Sequence, residues 1–112
     1  MSALIETADH GDIREIRLAR APVNALDTDL CRALIEALNA ALDHGVRGIV
    51  LAGNPKIFSA GMDVPYLMSL GDDRKALLDA WQAFFGAART LAESRVPVVA
   101  GFGIKDAASA AA

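Results

Sequence analysis

The chain has 112 residues, 54% of them hydrophobic and 22% charged, enough for one core, so a single globular unit is expected. Its formal charge is −3, and its 11 Lys and Arg residues are interspersed with acidic ones, leaving no basic stripe to follow a nucleic-acid backbone. The single cysteine, Cys31, permits no internal disulfide, and the amino-terminal residues show neither a signal peptide nor an apolar anchor, which together lead us to expect a cytoplasmic protein.

Residues 3–8 and 13–18 are short runs containing β-branched side chains, separated by Asp9-His10-Gly11-Asp12, a polar turn that predicts a hairpin. After Ala21-Pro22-Val23-Asn24, the residues Leu30, Leu34, Ala37, Leu38, Ala41 and Leu42 recur on one helical face, with Asp27 or Thr28 as cap and Gly45 as stop. Gly48-Ile49-Val50-Leu51-Ala52 is unbroken apolar sequence and predicts a buried strand of the parallel type. A turn-rich link leads to Phe58-Ser59-Ala60-Gly61-Met62-Asp63, and a short helix is expected from Asp63, with Pro65 close behind.

From Asp72, the spacing of Leu77, Leu78, Trp81, Phe84, Phe85, Ala88, Leu91 and Ala92 predicts a second amphipathic helix that buries these side chains. Val96-Pro97-Val98-Val99-Ala100 reads as a further strand with its proline at the start. Strands alternating with helices imply an α/β fold whose mostly parallel sheet is covered by crossover helices.

Chemistry is expected at the segment from Phe58 to Asp63, which joins the end of a buried strand to a new helix, where main-chain N–H groups lack partners and small side chains let a ligand approach. On composition alone, an ordinary strand-to-helix turn with Asp63 as a plain cap is the stronger reading. His10 and His44 are read as structural, and with Cys31 they make no metal-ligating set, so no metal is expected. Asp72 and Asp73 are read as helix-capping residues. Lys56 and Arg20 are exposed cations in this reading, within reach of a ligand phosphate but more simply solvated. Trp81, Phe84 and Phe85, and likewise Tyr66, Leu67 and Met68, are either core or apolar ligand contacts.

Taken together, Pro22-Val23-Asn24-Ala25-Leu26, the helix, Gly48-Ile49-Val50-Leu51, Phe58-Ser59-Ala60-Gly61-Met62-Asp63 and Val96-Pro97-Val98-Val99-Ala100 resemble the crotonase (enoyl-CoA hydratase/isomerase) superfamily in order and spacing. Pro-Val-Asn-Ala-Leu paired with Phe-Ser-Ala-Gly-Met-Asp is closest in flavour to the Δ3,Δ2-enoyl-CoA isomerases. The resemblance implies a partial crotonase-like (ClpP/crotonase) fold of stacked ββα units. It also implies an acyl-CoA thioester as substrate, with no cofactor apart from the coenzyme A that the substrate carries.

In the family pattern, Ala60, Gly61, Met62, Asp63 and Val64 would wrap the CoA ester. The Met62 N–H would be one donor of an oxyanion hole that stabilises an enolate-like oxygen. The family is oligomeric, a trimer or hexamer, so self-association is implied. Where the family has a glycine-rich turn carrying the second donor, register places Ala107-Ala108-Ser109, and residues 101–112 form an Ala-rich tail. The family's catalytic glutamates would lie beyond Ala112. The expectation for residues 1–112 is therefore one incomplete domain, with an inactive fragment or a CoA-binding remnant as the alternative to an active isomerase or hydratase.

Overall fold

The computed structural model describes residues 4–101. Strands β1 (Ile5–His10) and β2 (Ile13–Leu18) form an antiparallel hairpin with Gly11 at φ 63 in its turn. Helix α1 (Thr28–His44) crosses over to strand β3 (Gly48–Ala52), which pairs parallel with β2. Helices α2 (Val64–Ser69) and α3 (Arg74–Ala92) then return the chain to β4 (Val98–Gly101), parallel with β3. The sheet order is β1-β2-β3-β4, so each new strand is added at the same edge.

Alternation along the strands sorts the sheet into two faces. Ile16, Leu18, Ile49 and Leu51 point to the helices and join Leu30, Leu34, Leu38 and Ala41 of α1 in the core. On the other face Glu15 stands beside Val50, and Val50 beside Val99. There the buried Glu15 carboxylate is paired with Arg17 at 2.7 Å.

Each helix begins on an aspartate whose side chain accepts a main-chain N–H three residues on. Asp27 takes Leu30 N–H at 2.8 Å, Asp63 takes Tyr66 N–H at 3.0 Å and Asp73 takes Ala76 N–H at 3.1 Å. Helix α1 stops at Gly45, whose φ of 83 closes it in the left-handed conformation.

The expected burial of α3 is corrected by the structure. Its buried residues are Ala80, Ala83 and Ala87, whereas Leu78, Trp81 and Phe85 are exposed. The helix meets α1 through its small residues because these let the two backbones draw close. At Gly86 an added Cβ would already lie 3.2 Å from Ile35 Cδ1. Trp81 instead stacks on Phe85 at 5.6 Å between ring centroids, outside the core.

Candidate functional site

Residues 53–63, between β3 and α2, are held by a second segment, residues 20–26, which follows β2. Asn24 is the fastener. It is 2% exposed and sits at φ 52, a left-handed conformation that Asn tolerates better than most residues. Its Oδ1 accepts Arg20 N–H at 2.8 Å, its Nδ2 donates to Phe58 O at 3.0 Å, and its carbonyl accepts the Ser59 hydroxyl at 2.7 Å. The same Ser59 oxygen accepts Gly61 N–H at 3.0 Å. Gly53 is required at the start of the loop, since a Cβ there would stand 2.3 Å from Phe58 O.

Further on, Ala60 N–H donates to Val23 O at 2.9 Å, Leu26 N–H to Gly61 O at 2.7 Å, and Asp63 N–H to Leu26 O at 3.0 Å. The last two bonds make a single parallel bridge between Leu26 and Met62. In such a bridge the N–H of Met62 itself faces away from Leu26. Among the described residues it has no hydrogen-bond partner. Of the five residues expected to wrap a thioester, Ala60 and Gly61 thus spend their N–H groups inside the loop. Asp63 caps α2, Val64 is 57% exposed as its first residue, and Met62 presents an unpartnered main-chain donor.

Beside this bridge lies an apolar cleft of about 190 Å³, bordered by Leu18, Leu26, Leu51, Phe58, Ser59 and Phe84 among others. Leu26 therefore belongs to both the bridge and the cleft wall. Of the aromatic residues on α3, only Phe84 reaches the cleft, while Trp81 and Phe85 border a separate shallow groove with Leu78 and Arg89. The Tyr66 hydroxyl is 3.0 Å from Thr28 Oγ1, tying α2 to α1, and Met68 is 76% exposed.

Among the described residues, no titratable side chain lines the cleft. Asp63, the nearest carboxylate in sequence to Met62, is engaged on both oxygens. The Tyr66 N–H, with Arg20 adding to it, holds its carboxyl below the usual carboxylate range. It stays an anion and is unsuited to carrying a proton to and from a substrate. Arg20, expected to be an exposed and solvated cation, is instead half-buried and bonded to Asp63. Lys56 is exposed on the loop. Among the described residues, no three His, Cys, Asp or Glu side chains gather to hold a metal ion, and no helix is long and apolar enough to cross a membrane. The second donor expected at Ala108 lies outside the described residues.

Sequence reasoning passed over Asn24 and Arg20 as organisers of the loop. The available signal was a polar residue set inside an otherwise apolar Pro-Val-Asn-Ala-Leu segment and a cation just before it.

A mostly parallel four-stranded sheet that opens on a hairpin and grows by helical crossovers at one edge is the crotonase type of fold. Solved structures of that type superpose closely. A probable enoyl-CoA hydratase, EchA3, from Mycobacterium tuberculosis matches with a TM-score of 0.79 and 28% identity, covering 88% of this chain and 41% of that one. That protein has also been described as an enoyl-CoA isomerase, with a TM-score of 0.77. The family model for enoyl-CoA hydratase/isomerase matches residues 9–108, and the chain belongs to that family. A human peroxisomal bifunctional enzyme is 43% identical over 56 residues, 49% of this chain and 8% of that protein. A probable enoyl-CoA hydratase, EchA8, from Mycobacterium leprae is 34% identical over 80 residues, 70% of this chain and 29% of that one. The chain thus spans less than a third of the length of these curated relatives.

Proposed function

We propose that this chain supplies the thioester-binding part of an enoyl-CoA isomerase or hydratase, with the Met62 N–H as one donor of an oxyanion hole. The observation that carries the reading is that main-chain donor, unpartnered among the described residues and turned away from the bridge to Leu26. A thioester oxygen accepting it would gain charge as the α-carbon loses a proton, and a fixed donor stabilises that charge more than it stabilises the neutral ester. The apolar cleft beside Leu26 and Phe84 suits the acyl chain. The adjoining loop suits the pantetheine thiol end, because the small side chains of Ser59, Ala60 and Gly61 allow close approach. The pairing of Pro-Val-Asn-Ala-Leu with Phe-Ser-Ala-Gly-Met-Asp favours double-bond isomerisation over hydration.

A second reading, binding without turnover, is favoured because none of the described residues that line the cleft is titratable. Proton transfer at carbon needs a carboxylate or a comparable base within hydrogen-bond reach. The described residues bind and polarise, and the acid/base must be supplied from elsewhere.

The test is calorimetric titration of the chain with crotonyl-CoA and with free CoA, repeated for Met62→Pro and Met62→Ala. Proline removes the N–H and alanine keeps it. The expected result is a preference for the thioester over free CoA that survives Met62→Ala and disappears in Met62→Pro. Equal binding of crotonyl-CoA by both variants would remove Met62 from the site. Assay of the same preparations for isomerisation and hydration then separates turnover from binding alone.

A further inference from the structure

We propose that Arg20 is the positioning residue of this site, clamping the caps of α1 and α2 together and thereby setting the direction of the Met62 N–H. The inference rests on the oxyanion reading above and adds a residue that does not itself touch the substrate.

The cluster is built from two capping aspartates used in the same way. Asp27 gives one oxygen to Leu30 N–H and turns the other, Oδ2, to Arg20 Nη2 at 3.4 Å. Asp63 gives Oδ1 to Tyr66 N–H and turns its Oδ2 to Arg20 Nη1 at 2.8 Å. That same Nη1 donates to Ala25 O at 2.7 Å. The carboxylates are only 16% and 12% exposed and the guanidinium 30%, so the three charges interact with limited screening by water. Without the cation between them, the two anions would repel and the caps would separate.

The main chain of Arg20 is anchored independently, since its N–H donates to Asn24 Oδ1 and its carbonyl accepts Asn24 N–H at 2.8 Å. The guanidinium therefore works from a fixed base. Its target, Asp63, is the residue next to Met62, and the Asp63 N–H lies in the peptide that leaves Met62. Rotation of Asp63 would turn that peptide and break its 3.0 Å bond to Leu26 O, releasing the bridge that aims the Met62 N–H. A planar fork that serves three acceptors in two directions is a task for Arg; a Lys ammonium in the same place can hold Asp63 and Ala25 O, which share one nitrogen, and must give up Asp27.

A phosphate-binding role for Arg20 competes with this one, and the probes are chosen to separate them. Acetoacetyl-CoA loses its C2 proton to solvent when its enolate is stabilised. The electron pair left behind spreads over the two carbonyl oxygens, and the enolate is read by its near-ultraviolet band. Acetoacetyl-pantetheine undergoes the same change and carries no phosphate.

Both esters are titrated into the full chain, Arg20→Gln and Arg20→Lys, with free CoA binding measured alongside and amide hydrogen exchange followed at residues 60–66. The expected result is a fall in the enolate signal of about tenfold or more in Arg20→Gln, equal for the two esters, with free CoA affinity unchanged. Faster exchange should appear at residues 60–66 with α1 unaffected, and Arg20→Lys should recover part of the signal. Loss confined to the CoA ester would overturn the proposal in favour of a phosphate contact. An undiminished signal in Arg20→Gln would overturn it while leaving the oxyanion reading intact. An ester that binds the unaltered chain with no enolate band would overturn both. If Arg20→Gln does not fold, Arg20→Lys decides, since it keeps the cation and loses only the fork; a full signal with unchanged exchange in that variant would then overturn the proposal.

Discussion

Leu26 and Met62 are joined by one parallel bridge, in which Leu26 donates to Gly61 O at 2.7 Å and accepts from Asp63 N–H at 3.0 Å. Two hydrogen bonds on either side of Met62 thereby leave its own N–H turned outward. The bridge stands outside the main sheet, so it depends on whatever holds residues 20–26 against residues 58–63. Four predictions follow the forces that hold these segments and the helices around them.

Asn24→Ala removes the acceptor of Arg20 N–H and the donor to Phe58 O, and places an alanine at φ 52. Leaving buried main-chain groups unsatisfied should lower stability by about 2 kcal/mol. Urea denaturation followed by circular dichroism checks this, and the expected result is a lower midpoint with an unchanged slope.

Gly53→Ala introduces a Cβ 2.3 Å from Phe58 O and 2.5 Å from Phe58 Cα, both main-chain atoms that cannot swing aside. The loop must shift as a whole, at a cost of roughly 1–3 kcal/mol. Gly86→Ala is the contrasting case, because its Cβ meets only the flexible end of Ile35 at 3.2 Å within a helix. Alanine's helix preference of about 1 kcal/mol over glycine should leave this variant as stable as the parent or more so. Thermal melts of the two variants side by side make the comparison.

Asp63 should contribute to stability in a pH-dependent way with a definite sign. Its folded-state pKa is lowered from 3.8, first by the Tyr66 N–H and then by Arg20. The contribution is therefore fully present above 3.8 and is lost as pH falls through the lowered folded value. In Asp63→Asn the stability deficit relative to the parent should be constant near neutral pH and shrink below 3.8. Denaturation midpoints of both proteins across the acid range give the answer, and a gap that stays constant throughout would be the opposing result.

Trp81 and Phe85 stack on each other at the surface, 41% and 57% exposed. Replacing either by alanine should cost about 1 kcal/mol or less and should raise solubility. Ala83→Leu, by contrast, forces a large side chain into the α1–α3 contact and should cost roughly 1–3 kcal/mol.

The last pair also marks what the sequence could and could not disclose. The boundaries of β2 and β3 and the caps at Asp27, Gly45 and Asp63 were legible, because turn and capping chemistry is local and involves neighbouring residues. The buried face of α3 was misread because periodicity reports which residues are apolar, and here the apolar stripe is wider than the contact. Large and small apolar residues compete for the interface, and close approach to α1 selects Ala80, Ala83 and Ala87.

At the candidate site, the strand-to-helix turn that carries Met62 was legible. The Arg20–Asp63 ion pair was not, since its partners are 43 residues apart and only the folded chain brings them to 2.8 Å.

Because the proposed donor at Met62 is part of the backbone, the chemistry of the site is nearly independent of which side chains sit in it. Alanine at Met62 or Val64 should therefore look almost silent. The sensitive positions should be Asn24, Ser59, Arg20 and Asp63, whose side chains hold the turn by hydrogen bonds. A mutational map of this protein would place its hot region on the side chains that hold the turn, and a drifting sequence could change Met62 and Val64 while keeping the geometry of the proposed site.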